Sequence, residues 1–256
     1  MGEQEKLKLE SILTPEERGR KIEQRTNEIL NDLLRSVLKE RGEEQFWGEK
    51  LPLISAMLAS VEHYQGKKID STSLNQLVKA KPFQKMKILE FGFGPPNDSH
   101  LLLLTQFGAE MYGVESNAES AKHMREGWVI QSDHLDENGM FLLSPENIKT
   151  GDAKDVATLF PGINFDMLIS SRVIEEYPMS GAYDFQVGVT RAEDILKRTK
   201  QALPDGGLSV HTTTQRFIID DEESIKRMGY EVPVLNKNFG NNGGSVSYFT
   251  ILRKKY

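Results

Sequence analysis

The sequence contains no cysteine among its 256 residues. Disulfide bonds, thiolate metal sites and cysteine nucleophiles are therefore excluded, and no other metal-ligand pattern is predicted. The lack of cysteine fits a reducing compartment. The segment from Met1 to Glu10 is charged and lacks the apolar centre of a secretory signal. We therefore expect a cytoplasmic protein.

Long apolar runs and a surplus of positive charge are absent as well. The longest apolar run, Leu101 to Leu104, is far shorter than the roughly 20 residues of a membrane-spanning helix. The 32 Lys and Arg residues are outnumbered by 38 Asp and Glu, which gives a formal net charge of -6. Nucleic-acid binding usually depends on a basic surplus. These absences predict no membrane partner, no nucleic-acid partner and a small-molecule acceptor.

Helical signals fill residues 1–85. Thr14-Pro15-Glu16-Glu17 has the pattern of a capping box, and apolar residues then recur at helical spacing up to Leu38. A second helix is predicted from near Pro52, and a third from Ser73 to Ala80. We treat this stretch as an N-terminal helical segment and a candidate cap over the acceptor site.

From residue 86 to residue 256 the pattern changes to alternating strands and helices, which predicts an α/β fold. The last two strand-like runs flank the loop 236–244, which is rich in Asn and Gly, and therefore predict an antiparallel hairpin. We expect a Rossmann-like, mostly parallel seven-stranded sheet with helices on both faces and one reversed strand at its end. Residues 127–147 are long for a connection and are predicted to be an insertion. The predicted strands cover 87–91, 111–115, 148–151, 165–170, 208–212, 230–235 and 245–252.

Three elements that suit a nucleotide-like ligand follow successive strands. Gly92 and Gly94 end the first strand in a turn that a ligand can approach closely. About 20 residues later the second strand ends in Glu115, whose carboxylate can accept the two hydroxyls of a ribose. Asp152 ends the third strand. Since ligands of open α/β sheets bind at the carboxyl ends of the strands, the three elements predict one site.

With these motifs the sequence resembles the class I S-adenosylmethionine-dependent methyltransferases, over about residues 86–252. The resemblance implies S-adenosylmethionine as cofactor and in-line methyl transfer as the reaction. The glycine turn that begins at Glu90 would hold the methionine part, Glu115 the ribose and the Asp152-Ala153 turn the adenine. Ser170 and its neighbours would approach the cofactor from the fourth strand.

Two departures from the family pattern matter. Pro95-Pro96-Asn97 follows Gly94, so the third glycine of the family's first motif is absent. Nothing after the fourth strand matches the Asn/Asp-Pro-Pro-aromatic motif of enzymes that methylate exocyclic amines. That second departure also favours a small-molecule acceptor.

Methyl transfer needs the methyl group of the cofactor to be aligned with the acceptor atom and, for some acceptors, a base that removes a proton. The candidate catalytic residues are Glu175, after the fourth strand, and His211, near the end of the fifth. Histidine titrates near neutral pH, which suits a base, but a structural hydrogen-bonding role for His211 is an open alternative. His63 and Tyr64 of the helical segment are further candidates for the acceptor pocket.

Three other functions stay open. Aminocarboxypropyl transfer, as in nicotianamine-synthase-like enzymes, is suggested by the proline that follows the glycine turn. An NAD-dependent oxidoreductase would suit the distance from Gly94 to Glu115, but Asn97 and the final hairpin argue against it. A non-catalytic scaffold of the same fold is the third.

Overall fold

A computed structural model describes residues 13–41, 44–69, 73–95, 99–126, 143–174, 185–214, 216–239 and 248–256. Seven strands form one sheet in the order β3-β2-β1-β4-β5-β7-β6. Strands β1 to β5 are parallel, and β7 runs antiparallel to both β5 and β6. The strands are β1 (Lys87–Phe91), β2 (Glu110–Glu115), β3 (Ile148–Thr150), β4 (Met167–Ser171), β5 (Leu208–Thr213), β6 (Tyr230–Asn238) and β7 (Tyr248–Lys254).

Helices cover both faces of this sheet. In chain order they are α1 (Pro15–Arg41), α2 (Glu44–Gln65), α3 (Leu74–Ala80), α4 (Leu101–Gln106), α5 (Ala118–Arg125), α6 (Val156–Leu159), α7 (Phe185–Thr199) and α8 (Glu222–Arg227). The alternation of side chains along each strand separates two hydrophobic cores. Ile88 packs with α1 to α5 on one face, and its neighbour Leu89 packs with α6 to α8 on the other.

The expected α/β fold with a hairpin at its end is confirmed, with one refinement of the strand positions. The reversed strand β7 lies second from the edge, between β5 and β6, and β6 forms the edge itself. The hairpin prediction gave the antiparallel pairing of these strands but not their order. The antiparallel contact of β5 with β7, for example His211 opposite Thr250, is a long-range pairing that no local pattern encodes.

Local signals set most helix boundaries. The capping box is formed: the Thr14 amide donates to Glu17 at 2.8 Å, and the Glu17 amide donates to the Thr14 hydroxyl at 3.2 Å. Ser73 caps α3 through the amide of Gln76. The second helix begins at Glu44 rather than near Pro52, which lies inside it. The predicted insertion falls mainly on residues 127–142, outside the described part of the chain.

The N-terminal helices form a layer on one face of the sheet and share its core. Helix α2 packs against β5 and β7, and α1 packs against α2 and β6. Tyr64, near the end of α2, lies 4.8 Å from the guanidinium of Arg253, which pairs with the first residue of β5. This position is at the amino edge of the sheet. Tyr64, with its neighbour His63, therefore lies at the edge of the sheet opposite the predicted site. The cap role expected of the helical segment stays a prediction.

Within the described ranges, no helix combines the length and the apolar character required to span a bilayer.

Candidate functional site

The glycine turn after β1 has the backbone geometry that requires glycine. Gly92 and Gly94 have φ values of 67° and 63°, in the left-handed region that other residues rarely adopt. A Cβ atom on Gly92 would lie 2.4 Å from Cγ2 of Val173, so this residue also permits close packing against the loop after β4. A Cβ on Gly94 would meet no atom within 4 Å. Gly94 therefore lies at an open space where a ligand can approach the backbone.

Glu115 is joined to this turn by a hydrogen bond. Its carboxylate accepts the Gly94 amide at 2.8 Å and the Asn117 amide at 2.8 Å. The residue is 7% exposed and ends β2, which lies beside β1. The expected convergence of the glycine turn and the acidic strand end at one edge is present in the structure.

Glu90 is the residue of β1 two positions before Gly92, and its carboxylate takes part in several hydrogen bonds. One carboxylate oxygen accepts from the Ser99 hydroxyl at 2.9 Å and from the His100 amide at 3.0 Å. The other is 2.8 Å from Nδ1 of His100. Both Glu90 and His100 are 1% exposed. These bonds engage both oxygens of Glu90 with the protein itself.

Two further residues at this site, His100 and Lys50, were not predicted from the sequence. The Lys50 ammonium, in α2, donates at 2.5 Å to the carbonyl oxygen of Ser99, and the residue is 6% exposed. The first part of α2 is thus joined to the segment that holds Glu90. No sequence pattern marks Lys50, because its partner lies 49 positions away. His100 could have been noticed as a titratable residue ten positions after Glu90, at the start of a helix.

A pocket opens where β1 and β4 end. It holds about 610 Å³ of space, part of it open to solvent. It lies beside the glycine turn and reaches the loop after β4. Its lining residues are Glu90, Gly92, Phe93, Gly94, His100, Ser171, Arg172 and Val173.

Asp152 and Ala153 follow β3, next to the end of β2. The Gly151 amide donates to the Glu115 carbonyl at 3.0 Å. This bond holds the turn of Asp152 close to Glu115, at the same edge of the sheet as the glycine turn. Asp152 caps a short 3-10 helix by accepting the Lys154 amide at 3.1 Å. Ala153 is partly buried against the second core. The acidic side chain is half-exposed at the edge where the adenine was expected.

His211 and Ser170 form part of the core. Nδ1 of His211 is 2.8 Å from the Ser170 hydroxyl, and Nε2 is 2.8 Å from the Ser209 hydroxyl. Both ring nitrogens are thus engaged, and the residue is 0% exposed. Burial lowers the pKa of His211 from 6.5 to about 3. This geometry favours the structural role that was left open for His211, and it corrects its assignment as a candidate base.

Ser170 is 1% exposed, and its hydroxyl is used by His211. Its neighbour Ser171 lines the pocket instead, because successive residues of a strand point to opposite sides. Glu175, the other candidate catalytic residue, lies outside the described residues.

No family model matches the sequence, and no curated protein is significantly similar to it. Among solved structures, TrmN from Thermus thermophilus aligns with 71% of this chain and 48% of its own, at 15% identity and a TM-score of 0.43. The T. thermophilus 16S rRNA N2 G1207 methyltransferase RsmC, in complex with AdoMet and guanosine, aligns with 75% of this chain and 45% of its own, at 16% identity and a TM-score of 0.42. A methyltransferase homolog from Pyrococcus horikoshii aligns over 76% and 70%, at 14% identity and a TM-score of 0.47.

The chain thus spans about half the length of TrmN and RsmC. The expected exclusion of nucleic-acid acceptors is wrong, because a structure that aligns with this chain is an rRNA methyltransferase. That expectation depended on the net charge of -6, which describes the whole surface and not an acceptor site.

Proposed function

We propose that the protein is an S-adenosylmethionine-dependent methyltransferase. The cofactor would lie along the carboxyl edge of the sheet, with its adenine at the turn of Asp152 and its ribose hydroxyls at Glu115. The methionine end would occupy the pocket between the ends of β1 and β4. This order follows the strand order β3-β2-β1-β4.

The observation that carries the proposal is the contact between the glycine turn and the acidic strand end. The Gly94 amide and the Glu115 carboxylate are 2.8 Å apart, and the pocket of about 610 Å³ begins at the same turn. The ends of β3, β2, β1 and β4 therefore offer, side by side, a half-exposed acid, a buried acid and a cavity. The space beside Gly94, where a Cβ atom would otherwise lie, is open. It leaves room for part of a ligand, such as its sulfonium group, to approach the backbone.

When bound, the cofactor supplies an electrophilic methyl group on a sulfonium. The protein's contribution is to hold the methyl group in line with the acceptor atom, which can lower the barrier by about 7–11 kcal/mol in favourable cases. The turn after β1, packed closely against Val173, suits this purpose. No described residue is assigned as a base in this proposal, and in-line transfer to an acceptor that is already nucleophilic needs none.

Aminocarboxypropyl transfer from the same cofactor is the second candidate, favoured by Pro95 directly after Gly94. It would use the same site, but the carbon–sulfur bond to the aminocarboxypropyl group would break instead of the bond to the methyl group. The products separate the two reactions: methyl transfer leaves S-adenosylhomocysteine, and aminocarboxypropyl transfer leaves methylthioadenosine.

The test is a turnover assay with S-adenosylmethionine labelled in its methyl group. The purified full chain is incubated with RNA, protein and small-molecule fractions of a cell extract, since the alignment with RsmC brings RNA among the acceptors to assay. We expect label in one fraction and S-adenosylhomocysteine in equal amount. Methylthioadenosine as the product would favour the second candidate, and no product in any fraction would contradict both.

A further inference from the structure

A cluster of lysines lies where the chain enters β1, at the edge of the sheet opposite the pocket. Residues 66–86 contain five lysines and a single acidic residue, Asp70, in a chain whose formal net charge is -6. Asp70 lies outside the described residues. All five lysines are exposed, and together they form the lysine patch: Lys67, Lys68, Lys79, Lys81 and Lys85.

Hydrogen bonds hold the two parts of the lysine patch together. Three of its lysines belong to the end of α3 and the turn that follows. The Lys67 ammonium donates to the carbonyl oxygen of Pro82 at 3.2 Å, which joins the segment after α2 to this turn. The Gln84 amide donates to the Lys81 carbonyl at 3.0 Å and closes the turn before Lys85. The positive charges are therefore concentrated on one small surface.

Two acids border the patch beyond residue 86, and both are engaged elsewhere. The Glu110 carboxylate accepts the hydroxyl of Tyr112, and the Asp166 carboxylate accepts the Lys87 amide at 2.8 Å. In the part of the chain that the structure describes, no acid forms an ion pair with Lys81 or Lys85. The patch thus keeps its positive potential toward solvent.

The backbone of the turn does not explain why lysine occupies it. Lys81 and Lys85 have φ values of 46° and 69°, in the left-handed region that favours glycine or asparagine. Lys81 is also the C-cap of α3, where a left-handed residue is usually glycine. Strained backbone of this kind is found most often where the side chain has a function. The charge of these lysines, and not the turn, accounts for their presence.

The patch offers charge without an apolar anchor. A surface that inserts into lipid exposes apolar side chains beside its lysines. The apolar residues of this stretch are instead at most 7% exposed: Ile69, Leu74, Leu77, Phe83 and Met86. Lysine ammoniums on flexible stems act as point charges, which suits contacts with phosphate groups. The patch therefore fits a polymer that carries a row of phosphates.

We propose that the lysine patch binds the phosphate backbone of a nucleic acid. Backbone contacts of this kind position a nucleic acid without reading its sequence. The inference goes beyond the proposed function and does not depend on it, because the patch precedes β1 and the pocket opens where β1 ends. RNA and DNA offer the same phosphate chemistry, and separate titrations distinguish them.

The test is fluorescence anisotropy of labelled RNA and DNA strands of mixed sequence, titrated with the full chain without cofactor over a range of salt concentrations. Lys81→Gly/Lys85→Gly removes two charges and relieves the backbone strain. Lys197→Gln/Lys226→Gln is the matched control, because it removes two charges from helices α7 and α8, on the other face of the sheet from α3.

We expect binding that weakens as salt rises. Lys81→Gly/Lys85→Gly should lower the affinity about tenfold and the slope of log affinity against log salt by about 1.4 for a single strand, the effect of two lost phosphate contacts. Its urea midpoint should rise, so that unfolding does not account for the loss. Unchanged affinity in this variant, an equal loss in the control, or no binding by the unchanged protein would overturn the proposal.

Two further arms complete the experiment. If the glycine variant is less stable, Lys79→Gln/Lys85→Gln removes two charges without changing a turn residue to glycine, and it should show the same loss of affinity; full affinity would overturn the proposal. Tighter binding to phosphatidylserine vesicles than to either nucleic acid would overturn it in favour of a membrane. Since no step uses S-adenosylmethionine, failure here and failure of the turnover assay are separate results.

Discussion

Two buried histidines differ in how much of their bonding capacity the protein uses. His211 in β5 has both ring nitrogens bonded to serine hydroxyls and lies between the rings of Phe91 and Phe217, whose centroids are 5.8 and 5.5 Å away. His100 has one nitrogen bonded to Glu90 and one without a partner in the described structure. The two residues are almost equally buried, at 0% and 1% exposure.

Burial alone therefore does not describe how a histidine side chain is bonded. The two residues differ in their bonding and in their position: His100 has one ring nitrogen without a hydrogen-bond partner in the described structure and lines the pocket. His211 stabilises the join between β4 and β5, whereas His100 lies at the turn where the sheet edge opens. The same contrast holds for the acids, because Glu90 is enclosed by the protein and Asp152 is half-exposed.

The largest expected effect is on the core histidine. His211→Ala should lower the free energy of unfolding by about 3 kcal/mol or more, because it leaves a void and two serine hydroxyls without partners. Urea denaturation measures the change, with His123→Ala in α5 as the control. A loss below about 1 kcal/mol would show that His211 is not a core residue and would break the comparison.

At the open edge, Glu115→Ala should weaken the binding of S-adenosylhomocysteine by about 1–3 kcal/mol, the range for hydrogen bonds to a charged group. The measurement is isothermal titration. Glu110→Ala, at the opposite end of the same strand, is the matched control and should leave the affinity unchanged. Equal effects of the two substitutions would contradict a ribose contact at Glu115.

The pH dependence of stability tests the enclosure of His211. Its folded pKa of about 3 lies below the unfolded value of 6.5, so the unfolded state binds more protons between these values. The contribution of the neutral ring is present above pH 6.5 and is lost as the pH falls toward 3. The slope should be about 1.4 kcal/mol per pH unit. Denaturation curves of His211→Gln, which lacks this proton, should fall less steeply by that amount; identical slopes would contradict the assignment.

The smallest effect concerns two glycines with the same backbone geometry. Gly94 and Gly162 have φ values of 63° and 75°, and a Cβ on either would meet no atom within 4 Å. Alanine at each should cost about 1 kcal/mol of stability through backbone strain. Only Gly94→Ala should also weaken ligand binding, because its Cβ would enter the pocket. Similar ligand affinities in both variants would remove Gly94 from the site.

The sequence predicted the parts of the site that follow strand ends, because strand periodicity and turn residues are local signals. Gly94 and Glu115 were placed together for this reason, and their amide and carboxylate are in contact. The role of His211 depends on the face of β5 on which its ring lies and on its hydrogen bonds to Ser170 and Ser209. Those contacts come from β4 and β5 together, and no single segment encodes them.

The N-terminal helices show the same limit at a larger scale. Their apolar stripes predicted burial, but a stripe does not specify the surface that covers it. In the structure these helices pack against one face of the sheet. Lys50 contacts Ser99, near Glu90, and Tyr64 lies at the opposite edge. The long-range contact of Lys50 with Ser99 was beyond any local pattern.

The central claim is that this sheet edge holds S-adenosylmethionine, and titration of the full chain with S-adenosylhomocysteine and with NAD tests it most directly. We predict saturable binding of S-adenosylhomocysteine with one site per chain and no binding of NAD under the same conditions. Saturable binding of NAD without binding of S-adenosylhomocysteine would contradict the account.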